Sequence, residues 1–271
     1  MITIGPIKKL GTIWWFEFFD LQEIDPQVLE TRLVDCISQF ENDYSRFDDD
    51  SLLSQLNRNH TMDLSNQREM KDMLNIAREA YRDTQGVFNI AVGDYLEKTG
   101  YDQDYSFTSQ AVQDIPDLEE VLSLDQDKVE IQSGVRIDFG GFGKGYLIDR
   151  VAQLLRTEFG LEYFLINGGG DMYATSNHGE PIVIGLQDPR TGDMIGSLPI
   201  FNQGFASSSP YLRRWKDQDG IEHDHLVAGH NREKKITYIT APSAVMADIW
   251  ATSLSLNSQL KTPLDVKAHI L

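Results

Sequence analysis

A mixed α+β fold is predicted by three observations on this 271-residue sequence. Aromatic or β-branched strand segments and amphipathic helical segments follow one another without regular alternation, which argues against a doubly wound parallel sheet. The nucleotide fingerprints of such sheets are missing: GGFGKG (Gly140 to Gly145) has a glycine where the Walker pattern needs Ser or Thr, and neither it nor Gly168-Gly169-Gly170 gives GxGxxG. The composition, 41% hydrophobic and 10% aromatic, supplies a large core.

Thr12 to Phe19 is aromatic and β-branched and reads as a strand. Asp25-Pro26 then starts a long helix, with Leu29, Leu33, Cys36, Ile37, Phe40 and Tyr44 at helical spacing. Cys36 lies on that apolar stripe and is expected to be a buried, inert thiol. Asn66 with Glu69 resembles a capping box for a second helix, whose Met70, Met73, Leu74, Ala77 and Tyr81 make one face and which Gly86 ends. The acidic stretch from Gly100 to about Ser133 reads as a loop-rich excursion with one short helix. Val135 to Asp138 is expected to be a strand, Gly145 to Phe159 a helix, and Tyr163 to Ile166, Ile182 to Leu186 and Thr237 to Thr240 further strands. A last helix runs from Ser243 to about Leu256, followed by a short polar tail.

With 42 acidic against 24 basic residues the net charge is −18, which disfavours non-specific binding to nucleic acid or to anionic lipid. A single cysteine excludes an intrachain disulfide and a cysteine-only metal site. Nowhere do eighteen apolar residues run together, so no membrane span is expected. The start, MITIGPIKKLGTIWWFEFFD, lacks a signal-peptide pattern. The expectation is a cytoplasmic protein or a form without its export leader.

Four segments hold candidate chemistry. VRIDFGGFGKG combines Asp138, four glycines and Lys144 in a turn that opens a helix, so its N–H groups and lysine can cradle a phosphate. It also reads as an ordinary glycine-rich turn with a surface lysine. In SAVMADIWATSL, Asp248 and Thr252 are four apart and share a helix face, a hard oxygen pair that suits Mg2+. The alternative is a solvated Asp248 with Thr252 bonded back to its own helix. IEHDHLVAGH carries His223, His225 and His230. Lacking a cysteine or a third ligand at zinc spacing, it is better read as one functional histidine able to take a proton near neutral pH. ASSSPY (Ala206 to Tyr211) supplies hydroxyls, but without a GxSxG elbow it makes a weak hydrolase motif.

In order along the chain, these segments resemble the ApbE-type flavin transferases, the FAD:protein FMN transferases, over about residues 10 to 257. LGT (Leu10 to Thr12) resembles the family's MGT, and YSRFDDDSLLSQLN (Tyr44 to Asn57) its serine-aromatic-acidic-SxxxxxN segment. GVFNIAVG (Gly86 to Gly93) resembles GxFDxTVG, IDFGGFGKGYLID the strand, glycine turn and helix, LINGGGD the glycine-rich strand end, and ADIWAT the metal helix.

The resemblance implies a single α+β domain over 1–271, two-lobed and T-fold-related, with FAD in the interlobe cleft and Mg2+ on its pyrophosphate. By position, Asp248, Thr252 and the backbone oxygen of Gly141 match the metal ligands. Leu10, Phe47, Val87, Phe88, Asn89, Asp138, Lys144 and Val227 match FAD contacts, and His225 matches the catalytic base. The implied reaction moves FMN from FAD to a Thr or Ser hydroxyl of an acceptor protein and releases AMP. The acceptor, acting in trans, would carry a DGxSGAT-like motif that this chain lacks. Departures are Ser207-Ser208-Ser209 for the family's TSG, Phe88-Asn89 for its FD, unrelated residues from Ala228 for its DPxTG, and a shortened C-terminal hairpin. Two neighbouring readings use the same residues: an FAD pyrophosphatase that yields FMN and AMP, and a non-catalytic FAD-binding protein.

Overall fold

A computed structural model describes the chain except residues 21–23, 102–113, 212–213, 217–219, 221, 225 and 228–234, and only the backbone of residue 223. In chain order the first half runs β1 (Ile2–Lys9), β2 (Thr12–Phe18), α1 (Pro26–Tyr44), α2 (Leu52–Asn59), β3 (Thr61–Asp63), α3 (Arg68–Asp83), α4 (Gly93–Lys98), α5 (Leu118–Val121), β4 (Leu122–Asp125) and β5 (Lys128–Ile131). The second half runs α6 (Gly143–Phe159), β6 (Phe164–Gly168), β7 (Asp171–Thr175), β8 (Ile182–Gln187), β9 (Met194–Ile200), β10 (Gln203–Ser208), β11 (Arg214–Lys216), β12 (Glu222–Asp224), β13 (Thr237–Ala241), α7 (Ala244–Leu256) and β14 (Lys267–Ile270).

The main sheet has the order β1-β2-β6-β7-β10-β13-β14, and each neighbouring pair is antiparallel. Period-two alternation divides its side chains between two faces. Trp14, Phe16 and Phe18 of β2 are fully buried with Phe164 and Ile166 of β6 against α1 and α6, while Ala206, Ile239 and Ala241 pack on α7. The intervening Leu165, Ala174, Phe205 and Tyr238 face the other way, onto Ile182, Ile184 and Ile200 of the β8–β9 ribbon. The small sheet β3-β5-β4, with α2 and α3, adds to the same core as α1 and α6. No described helix is long and apolar enough to cross a membrane.

Helix α1 starts as its sequence predicts, with the Asp25 side chain accepting from Gln27 N–H at 2.9 Å, and it buries the six stripe residues. Cys36 is 1% exposed, and burial raises its thiol pKa, which keeps it protonated and inert.

Four expectations need correction. No capping box forms at α3: Gln67 caps without a side-chain bond, and Glu69 instead accepts from Tyr44 Oη (3.2 Å) and Arg150 (2.9 Å) in a half-buried cluster. The 100–133 excursion contains β4 and β5 besides its short helix, although its residues 102–113 lie outside the described set. Residues 135–138 form no strand, because side-chain and loop partners take their backbone groups. The polar tail holds strand β14, which pairs along β13 and becomes the sheet's edge strand.

Candidate active site

The eleven described residues singled out from the sequence all line one cavity of about 540 Å³. Leu10 comes from the β1–β2 turn, Phe47 from the loop after α1, and Val87, Phe88 and Asn89 from the segment after α3. Asp138 and Gly141 lead into α6, which carries Lys144, while α7 carries Asp248 and Thr252 and Val227 follows β12. His225 lies outside the described residues.

Leu10 and Gly11 form a two-residue turn with φ of 53° and 62°, the twist that a tight hairpin favours. A leucine in that region costs about 1–2 kcal/mol. The Glu41 carboxylate offsets part of it by accepting Leu10 N–H at 2.7 Å, and Lys9 pairs with the same carboxylate at 3.4 Å. Glu41 thus fastens the turn to α1. It went unnoticed in the sequence because it reads as an ordinary polar position of an amphipathic helix.

Residues 135–139 are clamped rather than paired in a ladder. Buried Asn57 accepts Ile137 N–H at 2.8 Å and donates to Ile137 O at 2.9 Å, while Asp138 N–H donates to Ile90 O and Gly93 N–H to Arg136 O. Asp138 is thereby set beside Arg46, 3.6 Å away, whose guanidinium lies over Phe47 (4.1 Å) and Tyr101 (5.0 Å). Tyr101 stacks on Trp215 at 5.1 Å, and Trp215 packs with Leu96 and Val227. Arg46, Tyr101 and Trp215 were missed from sequence, since no local pattern relates residues so far apart.

The expected phosphate cradle is largely spent on internal bonds. Gly140 N–H donates to Asp138 Oδ1, Phe142 and Gly143 N–H to Phe139 O, and Gly145 N–H to Asp248 Oδ2. Gly145 has a packing role as well: a Cβ there would sit 2.5 Å from Ala244 O, so glycine lets α6 and α7 touch. Asp149 of α6 completes this junction by accepting Ala244 and Val245 N–H at 2.8 and 2.9 Å.

Asn89 serves structure through an amide. Its Oδ1 accepts Ala91 N–H and its Nδ2 donates to Pro116 O, a bond that an aspartate would be unable to donate as a carboxylate.

On the α6–α7 side, Lys144 pairs with Asp171 and lies 3.6 Å from Asp248. Burial raises the Asp248 carboxyl pKa well above the ordinary range, Lys144 opposes this, and the Asp171 charge adds to it. Thr252 Oγ1 points to Gly141 O at 3.5 Å, whereas its neighbour Ser253 bonds back to Ile249 O. Three hard oxygen donors, the Asp248 carboxylate, Thr252 Oγ1 and Gly141 O, thus line one wall, a set that fits Mg2+ with positions left for other oxygens. No group of three metal-ligating side chains occurs among the described residues, which leave out His225, His230 and the side chain of His223.

A helix-backed antiparallel sheet whose cavity joins an aromatic wall to a lysine, two buried carboxylates and hard oxygens defines a small-molecule site of enzyme type. The ApbE family profile matches residues 10–263, and the chain belongs to the ApbE family. Two relatives from Klebsiella pneumoniae, each named FAD:protein FMN transferase, are 28% identical over 205 residues and 25% identical over 270 residues. These matches cover 69% and 91% of this chain, and 62% and 76% of the relatives' own lengths. The ApbE protein of Thermotoga maritima has the same fold, with a TM-score of 0.78 at 23% identity over 92% of this chain and 85% of its own. So does the flavin transferase ApbE of Vibrio cholerae, with a TM-score of 0.74 at 19% identity over 99% and 96%.

Proposed function

We propose that this chain is one flavin transferase domain that moves FMN from FAD onto a Thr or Ser hydroxyl of an acceptor protein and releases AMP. The observation that supports it most is the convergence of Lys144, Asp248, Thr252 and Gly141 with Phe47, Tyr101 and Trp215 on one cavity. An aromatic ring system and a pyrophosphate in one molecule ask for that combination.

In this reading the acceptor oxygen attacks the phosphorus on the FMN side of FAD, the bond to the bridging oxygen breaks, and that oxygen leaves with AMP. His225 takes the hydroxyl proton, a role that rests on its match to the family base. The Lys144 ammonium offsets charge on the pyrophosphate, and the aromatic wall fixes the ring system and keeps water away. Asp248, Thr252 Oγ1 and Gly141 O would hold Mg2+, which supplies polarisation of the phosphate oxygens. The chain's strong negative charge fits a site that places its cation locally rather than over the surface.

The test is to incubate the protein with FAD, Mg2+ and a fragment bearing DGxSGAT, following AMP and the fragment's mass. AMP together with a gain of FMN less water is expected, and both should vanish in Asp248→Ala. AMP without the mass gain points to the pyrophosphatase, and bound flavin with neither product points to a binding protein.

A further inference from the structure

Lys144 stands between two buried carboxylates and is shared unequally. It makes a close hydrogen-bonded pair with Asp171 Oδ2, while Asp248 Oδ2 is 3.6 Å away, an ion-pair distance beyond a hydrogen bond. Asp171 is fixed: its side chain is 3% exposed, it is the first residue of β7, and its Oδ1 accepts Ser207 N–H of β10 at 3.3 Å. The turn before it is set in turn by Gly170 N–H donating to Asn167 Oδ1. The aspartate of INGGGD therefore joins the glycine-turn lysine to the serine-rich strand, and the reaction as proposed uses neither Asp171 nor Ser207.

We propose that Asp171 is a positioning residue: it holds the Lys144 ammonium on the sheet side of the cavity and so leaves the Asp248 carboxylate free for a divalent cation. An ammonium and a divalent cation compete for the same carboxylate. Removing the Asp171 charge removes the nearer of these two carboxylates and leaves Asp248 within ion-pair reach of Lys144. With that attraction gone, the Lys144 ammonium would shift toward Asp248 and compete with the metal for it. This inference rests on the metal site proposed above.

A double-variant cycle tests it through metal binding rather than turnover. Mn2+ is titrated against wild type, Asp171→Asn, Lys144→Met and the double variant, each with saturating FAD, and free Mn2+ is read by electron paramagnetic resonance. Asp171→Asn should weaken Mn2+ binding about tenfold or more with Lys144 present, and less than about threefold in the Lys144→Met background. The double variant removes the ammonium together with its Asp171 partner, so neither of those two charges is stranded by loss of the other. Equal weakening in both backgrounds would mean that Asp171 only adds negative charge, and would overturn the proposal while leaving the metal site standing. Absence of Mn2+ binding in wild type would overturn both.

Discussion

Replacing Asn57 by Ala tests whether a single side chain does the work of a missing strand partner. Asn57 is 7% exposed and Ile137 is fully buried, so removing the amide leaves Ile137 N–H and C=O without the bonds of 2.8 and 2.9 Å that satisfy them. Each unsatisfied buried backbone group costs about 1–3 kcal/mol, giving a loss of about 2–6 kcal/mol for the pair. Urea unfolding followed by circular dichroism would measure it as a lower midpoint with an unchanged slope. Asp138 follows directly in the chain and lines the cavity, so FAD binding, read by flavin fluorescence, should weaken even where the variant remains folded. Asn57→Asp separates the two bonds: the carboxylate still accepts from Ile137 N–H but faces Ile137 O, so its stability should improve as pH falls and the protonated form donates. A loss below about 1 kcal/mol in Asn57→Ala would refute the clamp.

Three further outcomes follow from the same geometry. Gly145→Ala should lower the melting temperature and impair Mn2+ binding together, since its Cβ would meet Ala244 O at 2.5 Å and push α6 from α7; wild-type melting would show that the contact yields freely. Burial pushes the Asp149 carboxyl up to about 6, against the pull of its two backbone N–H donors. Because the folded value is raised, its contribution to stability is complete below the unfolded value of about 4 and is lost as pH rises through about 6. The stability of wild type relative to Asp149→Asn should therefore fall between pH 4 and 7, and a flat difference in paired denaturation curves would contradict that. Asn89→Asp should destabilise at neutral pH by about 1–3 kcal/mol, because a carboxylate facing Pro116 O replaces a donor; an unchanged unfolding midpoint would show that the amide is dispensable.

The family resemblance of ordered motifs was legible before any fold, and so were the local patterns: the α1 stripe, the aromatic and β-branched strand character of β2 and the shared face of Asp248 and Thr252. These depend on residues a few positions apart, where helical and pleated periods set which side chains meet. Proximity in space decided the rest. Glu69 lost its predicted capping role because Tyr44 and Arg150 offered it half-buried partners, and residues 135–138 formed no strand because Asn57, Ile90 and Gly93 answered their backbone groups first. The tail became β14 because β13 had an open edge, a fact invisible in the tail's own polar composition. Asp171 could be seen beforehand only as the end of a glycine-rich motif. That it holds Lys144 from 27 positions away, in competition with Asp248, is a property of the packed sheet and helices, since electrostatic partners are chosen by distance and burial rather than by sequence order.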